Sequence, residues 1–280
     1  MPIMKTYCAK YPERIVCLTE ETTETLYLLG EQDRIVGISG FTVRPPQARK
    51  EKPRVSAFTS AKIDKVMDLQ PDLVIGFSDL QADIARDLIK LGANVLLLNH
   101  RSVNQILGMI LQLASLVGAE QKGRALVDSY INTIETTRDR ARQLPVRPKV
   151  YFEEWDEPMI SAIRWVSELV EIAGGDDCFP ELAQSAGGAG RIIANPQQVI
   201  DANPDIIIGS WCGKKFRPEK VIARDGWNGI NAVKYNELHE IKSPIILQPG
   251  PAALTDGLAA IEKIIHSARI DTPDNSTPGQ

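Results

Sequence analysis

Two stretches of the sequence repeat one pattern of apolar and polar positions. Lys62–Asp72 (KIDKVMDLQPD) and Pro196–Asp205 (PQQVIDANPD) read as amphipathic helices, and each ends at an x-Pro-Asp sequence. Proline cannot continue a helix and moves the preceding residue out of the α region. A short apolar run without alternation follows each stop, at Leu73–Phe77 and Ile206–Gly209, which predicts a strand buried on both faces. The repeat therefore predicts two similar lobes.

The remaining pattern alternates strands and helices around a long helical stretch. Apolar residues at helical spacing predict helices over Asn104–Val117 and Gln121–Gln143, between the two lobes. The predicted fold class is α/β, with two Rossmann-like lobes whose sheets are parallel and a long rigid helix that joins them. The expected domains are an N-terminal lobe (1–120), the connecting helix (121–147), a C-terminal lobe (148–268) and a disordered tail (269–280). The further strands are predicted at Arg14–Leu18, Ile35–Ile38, Val95–Leu98, Lys149–Glu153 and Ile245–Gln248.

Composition narrows the classes of function. A net charge of −4 over 280 residues gives no reason to expect nucleic acid or an anionic membrane as a partner. The four cysteines form no CxxC pair and no metal-ligand spacing, so we expect reduced, buried thiols. The N-terminal residues do not read as a secretory signal. We therefore expect a cytoplasmic protein if Met1 is the native start, and a periplasmic or cell-surface one if a signal has been removed.

Candidate binding residues follow the predicted strands, because ligands of open α/β sheets lie beyond the carboxyl ends of the strands. Aromatic rings there suit a large flat ligand, although rings at strand ends also cap cores. His100 could ligate a chelated metal or simply bond to backbone, and Glu20 could serve the ligand or the helix dipole. Arg44 and Arg101 could pair with carboxylates or phosphates. The expected ligand-binding residues are Glu20, Thr42, Arg44, Phe58, Phe77, His100, Arg101, Trp155, Trp211 and Gln248.

Catalysis and a bound metal have little support in the sequence. It contains no GxSxG and no HExxH motif, and its three histidines are scattered. The carboxylates of Glu153, Glu154, Asp156 and Glu157 form one cluster that could exchange protons, but such clusters are usually solvated. We expect no enzyme activity and no required cofactor, and we expect a monomer.

Four segments carry a resemblance to a known family. The segments RIVCLTEETTETLYLLGEQDRIVGIS, KIDKVMDLQPDLVIG, WVSELVEIAGG and PQQVIDANPDIIIG resemble the helical-backbone substrate-binding proteins of ABC importers. These are receptors for cobalamin, haem and iron siderophores, with the class III periplasmic-binding-protein fold. The resemblance spans Arg14 to Ala268, and its cobalamin-binding branch is the most similar.

The resemblance implies a function and three further assignments. It implies binding of a bulky metal chelate in a cleft between two lobes, with a corrinoid as first choice and haem or a ferric siderophore next. Phe58 matches the aromatic position that stacks on the corrin. Asp64 and Gln197 match surface glutamates that dock on a permease, although Gln197 lacks the charge. A cytosolic carrier or sensor is the alternative, and a chelatase-like enzyme a more distant one.

Overall fold

The structure, a computed structural model, describes residues 10–269. The chain divides into an N-terminal unit (residues 10–100 and 104–129) and a C-terminal unit (101–103 and 130–269). The sequence-based boundaries at 120 and 148 stay a prediction. Residues 270–280 of the expected tail lie outside the described part of the chain.

The N-terminal unit contains one parallel sheet of five strands in the order β3-β2-β1-β4-β5. All five residues of its strand LVIGF are buried, as expected for a strand inside a parallel sheet. The strands are β1 (Ile15–Cys17), β2 (Ile35–Ser39), β3 (Arg54–Ser56), β4 (Leu73–Phe77) and β5 (Val95–Leu98). The helices are α1 (Glu20–Leu28), α2 (Ala48–Glu51), α3 (Ile63–Asp68), α4 (Ala82–Lys90), α5 (Val103–Leu116) and α6 (Glu120–Ala141), and residues 130–141 of α6 belong to the C-terminal unit.

The C-terminal unit contains a second five-stranded sheet, in which β6 pairs with β7, β8 and β9, and β9 pairs with β10. The pairing of β6 with β7 is antiparallel and the others are parallel. The strands are β6 (Lys149–Asp156), β7 (Met159–Ser161), β8 (Asp176–Asp177), β9 (Ile206–Gly209) and β10 (Leu238–Glu240). The helices are α7 (Arg164–Ile172), α8 (Gln197–Ala202), α9 (Pro218–Ile222), α10 (Asn231–Lys234), α11 (Ser243–Ile246) and α12 (Leu258–Ser267).

The repeated Pro-Asp sequence has the same structural role in both units. Asp72 accepts hydrogen bonds from the backbone N–H groups of Glu13 and Arg14, at 2.7 and 2.9 Å, immediately before β1. Asp205 accepts one from the N–H of Lys149, at 2.9 Å, where β6 begins. Each aspartate thus precedes its own strand and satisfies a backbone donor at the start of the neighbouring one. The two-lobe α/β fold predicted from this repeat is confirmed.

One predicted strand is wrong. Ile245–Gln248 was expected to form a strand, whereas Ser243–Ile246 forms the short helix α11. Pro244 lies in its first turn, where a proline loses no helical hydrogen bond and its fixed φ suits the helix. The short apolar run alone does not distinguish a strand from a helix.

Two further features of the chain are its helix lengths and its cysteines. Among the described helices, none has both the length and the apolar character needed to cross a bilayer. Cys17 is buried, Cys178 is half-buried and Cys212 is exposed. The expectation of burial is therefore wrong for Cys212, and Cys8 lies outside the described residues.

Candidate functional site

The connection order of each sheet identifies a carboxyl edge where a ligand is expected. In the N-terminal sheet the order reverses between β1 and β4, which are neighbours. In the C-terminal sheet it reverses between β6 and β9. Open α/β sheets bind ligands outside the carboxyl ends of strands at such a reversal. The loops after these four strands are therefore the candidate surfaces of the two units.

In the N-terminal unit, Gln81 joins two loops of the carboxyl edge. Its side chain is fully buried, accepts a hydrogen bond from the N–H of Phe77 (2.9 Å) and donates one to the carbonyl of Phe58 (2.8 Å). Gly76 makes room for it, because a Cβ there would lie 2.5 Å from the Gln81 Oε1 atom. Phe58, the predicted stacking residue, is half-buried and is held in place through its own backbone.

We expect Gln81→Met to lower the free energy of unfolding by about 1–3 kcal/mol, because it leaves a buried N–H and a buried carbonyl without partners. Urea unfolding followed by circular dichroism measures the change. Gln121→Met, at an exposed position in α6, is the matched control and should leave stability within about 0.5 kcal/mol of the wild type. Equal stability of the two variants would contradict the role assigned to Gln81.

The first half of α1 is polar and yet buried. Its residues Glu20–Leu26 (EETTETL) are all buried. The hydroxyls of Thr23 and Thr25 donate to the carbonyls of Thr19 and Glu21, at 3.2 and 2.7 Å. These buried hydroxyls are therefore hydrogen-bonded to the backbone of the preceding turn. The helix follows β1 directly, which brings its carboxylates to the carboxyl edge.

Three glutamates of α1 therefore lie out of water. Glu24 pairs with the half-buried Arg44, at 2.8 Å. Burial, reinforced by the neighbouring carboxylates Glu21 and Glu24, raises the pKa of Glu20 to about 8. Burial raises the pKa of Glu21 to about 7, although the hydroxyl of Thr19 donates to it at 2.6 Å. The carboxyl groups of Glu20 and Glu21 therefore change protonation state near neutral pH.

Phe77 and His100 contact each other at the ends of β4 and β5. Their rings meet edge to face, with centroids 5.1 Å apart and planes at 65°. Both side chains are buried. The sequence placed both at the carboxyl edge, but their predicted contacts with a ligand stay a prediction.

In the C-terminal unit, Glu153 lies within β6 and is the centre of a buried hydrogen-bond network. Arg224 donates to both of its carboxylate oxygens, at 2.6 and 2.9 Å. The Trp211 indole and the Tyr151 hydroxyl also donate to it, each at 2.9 Å. Burial, followed by the charge of Glu153, raises the pKa of Tyr151 well above its ordinary value, so the phenol keeps the proton that it donates.

Trp155 follows in the same strand and is half-buried. The Lys214 ammonium lies 4.0 Å from the centroid of its ring and also pairs with Asp156. The indole N–H donates to the carbonyl of Glu157, at 2.7 Å. The ring is therefore fixed in orientation while part of it stays accessible, which suits the predicted stacking role.

Trp211 follows β9, as the sequence predicts, but it is only 2% exposed. Its ring meets Phe216 edge to face, with centroids 5.1 Å apart, and the Lys214 ammonium lies 5.1 Å from its centroid. In this conformation Trp211 orients Glu153 and packs in the core. Its stacking on a ligand stays a prediction.

The remaining predicted residues are dispersed. Arg101 donates to the carbonyl of Ala186 at 2.9 Å within the C-terminal unit, and Gln248 is half-buried. Thr42 is fully buried in the loop after β2. Asp64 lies in the first turn of α3 and Gln197 at the start of α8, and both are exposed.

Sequence reasoning missed the cations that neutralise the acidic cluster. Arg191 is 2% exposed, pairs with both carboxylate oxygens of Glu154 (2.6 and 3.1 Å) and donates to the carbonyl of Ser161 (2.5 Å). With the pairs of Arg224 and Lys214, three of the four clustered carboxylates have a cation partner. In the sequence only the cluster of acidic residues at one strand end pointed to these ion pairs, because the basic partners lie far along the chain.

Two concave surfaces adjoin these residues in the C-terminal unit. One, of about 730 Å³, lies beside Asp156, Lys220 and Trp227. The other, of about 430 Å³, is lined by Trp211 and by several lysines, including Lys215. Within residues 10–269, no group of three or more His, Cys, Asp or Glu side chains is arranged to hold a metal ion.

Comparison with known proteins extends along most of the chain. A sequence model of the family described as periplasmic binding protein matches residues 15–245. An uncharacterized ABC transporter substrate-binding lipoprotein, YvrC of Bacillus subtilis, is 26% identical over 266 residues, 92% of this chain and 81% of its own. A vitamin B12-binding protein of Vibrio parahaemolyticus is 25% identical over 253 residues, 86% of each chain.

Solved structures share the fold. The periplasmic vitamin B12 binding protein BtuF of Vibrio cholerae has a TM-score of 0.73 and 21% identity, with 92% of this chain and 98% of that chain covered. The periplasmic heme-binding protein RhuT from Roseiflexus sp. RS-1, in apo form, has a TM-score of 0.74 and 24% identity, with 90% and 99% covered. The class III architecture is thereby confirmed.

Proposed function

Because this chain belongs to the periplasmic binding protein family, we propose that it is the substrate-binding component of an ABC importer and captures a bulky metal chelate. The observation that carries the proposal is the extent of the family match, which includes strands of both sheets. One relative is named as a substrate-binding lipoprotein and another as a vitamin B12-binding protein, and both names support binding without chemistry on the ligand.

A corrinoid is the proposed ligand, with haem or a ferric siderophore as the next candidates. Relatives named for vitamin B12 support the corrinoid, and structures of the same fold are named for heme. In the proposed mechanism an aromatic residue, either Phe58 of the N-terminal unit or Trp155 of the C-terminal unit, supplies a ring surface, while polar groups of the same carboxyl edge orient the chelate. No covalent step is required.

The importer role favours a place outside the cytoplasmic membrane, where the ligand is collected. One relative is named as an ABC transporter substrate-binding lipoprotein, which supports the importer over a cytosolic carrier. We propose a permease as the protein partner, with Asp64 and Gln197 as docking positions because both are exposed at the start of corresponding helices. Gln197 donates to Asp201 at 2.8 Å and contributes no charge of its own.

We expect Trp155→Ala to weaken binding of the chelate at least several-fold, because it removes a ring surface that stacking would use. Trp155→Phe keeps an aromatic face and should retain most of the affinity. Both dissociation constants can be measured by equilibrium dialysis with absorbance detection. Equal affinity of the alanine variant and the wild type would remove Trp155 from the site.

Thermal unfolding in the presence of ligand tests the proposed function. A ligand that binds only the folded state stabilises it by about 2.7 kcal/mol at a hundredfold excess over Kd. Cobinamide, cyanocobalamin, haem and ferric siderophores are each added before melting, with circular dichroism as the readout. We expect one class to raise the melting temperature by several degrees, and no increase with any of them would refute the proposal.

A further inference from the structure

Two buried carboxyl oxygens of α1 have no donor among residues 10–269. Glu20 and Glu21 are 6% and 1% exposed, and no atom of the described part of the chain makes a hydrogen bond to the Oε2 atom of either. Buried polar atoms are almost always paired, and an unpaired one in a native protein calls for an explanation. The other oxygen of Glu21 already accepts from Thr19 at 2.6 Å. Above pH 8, where both groups are ionised, each of these oxygens therefore lacks a donor.

A second unpaired group belongs to the neighbouring loop. Thr42 is fully buried, and its hydroxyl also has no hydrogen-bond partner within the part of the chain that the structure describes. Its loop connects β2 with α2 and is fastened to α1 by the ion pair between Arg44 and Glu24. Glu20 also feels the charge of Arg49 on α2, which places the loop and α2 on the side of these carboxyl groups. The unpaired atoms thus come from two chain segments that lie together at the carboxyl edge.

We propose that Glu20, Glu21 and Thr42 form a subsite for the N–H donors of a ligand that carries carboxamide side chains. This inference rests on the proposed function and selects among its ligands. A carboxamide donates through nitrogen and accepts through oxygen, so it can serve the two carboxyl oxygens and the hydroxyl together. A corrinoid with amidated side chains has several such groups around its ring.

The same subsite discriminates against anionic chelates. Above pH 8, where Glu20 and Glu21 are ionised, the carboxylates of haem offer no donor and would meet both groups as like charges. Like-charge contacts in a water-poor site are strongly unfavourable. The acidic half of α1 therefore favours a neutral or cationic, donor-rich ligand.

The test compares two corrinoids that have the same metal and ring. Dicyanocobinamide carries carboxamides, and dicyanocobyrinic acid carries carboxylates at the corresponding side chains. Dissociation constants are measured by absorbance-detected dialysis at pH 8.5, with haem as a third probe. The variants are Glu20→Gln with Glu21→Gln, and separately Thr42→Val. The control removes two exposed carboxylates of the same unit, by Glu13→Gln with Glu120→Gln.

We expect the wild type to bind the amide form at least about tenfold more tightly than the acid form. The double glutamine variant should reduce this ratio to within about threefold, and Thr42→Val should weaken the amide form alone. The control should keep the wild-type ratio. Equal binding of both corrinoids by the wild type, or an unchanged ratio in the double variant, would overturn the subsite while leaving chelate binding intact. Failure to bind any of the three probes would instead count against the proposed function and its subsite together.

Discussion

Replacing Arg224 with methionine is expected to lower the free energy of unfolding of the C-terminal unit by about 3–5 kcal/mol. Glu153 is completely buried, and Arg224 provides its only ion pair among the described residues. Without Arg224 the carboxylate keeps two neutral donors, Trp211 and Tyr151, and no compensating charge. An uncompensated buried charge is among the most destabilising single changes.

All four tryptophans lie in the C-terminal unit, so urea unfolding followed by tryptophan fluorescence reports on this unit. Arg217→Met, at an exposed position just before α9, is the matched control and should change stability by less than about 0.5 kcal/mol. Adding Glu153→Gln to Arg224→Met should recover a large part of the loss, because it removes the unpaired charge. A loss below about 1 kcal/mol for Arg224→Met would show that the ion pair does not stabilise the unit.

The second large effect is a dependence of stability on pH that originates in α1. Folding raises the pKa of Glu20 to about 8 and that of Glu21 to about 7, whereas both titrate near 4.5 when unfolded. Between pH 4.5 and these raised values the folded state holds protons that the unfolded state has lost, so stability falls as pH rises. Each proton contributes a slope of about 1.4 kcal/mol per pH unit. Between pH 5 and pH 8 the two groups together should lower the free energy of unfolding by several kcal/mol.

The variant Glu20→Gln with Glu21→Gln should lose most of this slope, because glutamine has no proton to release. Urea unfolding followed by circular dichroism at pH 5, 6, 7 and 8 measures both proteins. The free energy of unfolding of the variant, relative to that of the wild type, should rise steadily with pH and should have risen by several kcal/mol at pH 8. A difference that stays constant within about 0.5 kcal/mol over this range would contradict the raised pKa values of Glu20 and Glu21.

The sequence was sufficient for the fold because its strongest signals are local. The two Pro-Asp stops each end a helix and precede a buried strand, and the structure shows Leu73–Phe77 and Ile206–Gly209 as strands with the bounds that the pattern predicted. The strand predicted at Ile245–Gln248 is wrong because its three consecutive apolar residues have no periodicity that distinguishes a strand from a helix. Pro244, in the first helical turn, was the better signal.

The candidate site could be predicted only in part, because its contacts join distant residues. The sequence placed Trp211 at a strand end but did not show the direction of its ring, which depends on Phe216 and on the buried Glu153. The partner of Glu153 lies 71 residues away in an otherwise unremarkable segment. Gln81 was overlooked for the same reason, since its role follows from loops that only the folded sheet brings together.

The most direct test of the central claim is a titration of the purified wild-type protein with cobinamide, cyanocobalamin, haem and a set of ferric siderophores. Tryptophan fluorescence and visible absorbance are read together, and the tryptophan signal comes from the unit that carries Trp155. We predict saturable quenching with one ligand per chain and a dissociation constant in the micromolar range or below for a metal chelate, with the amidated corrinoids bound most tightly. Flat titration curves for every chelate would contradict the claim that this protein captures a metal chelate.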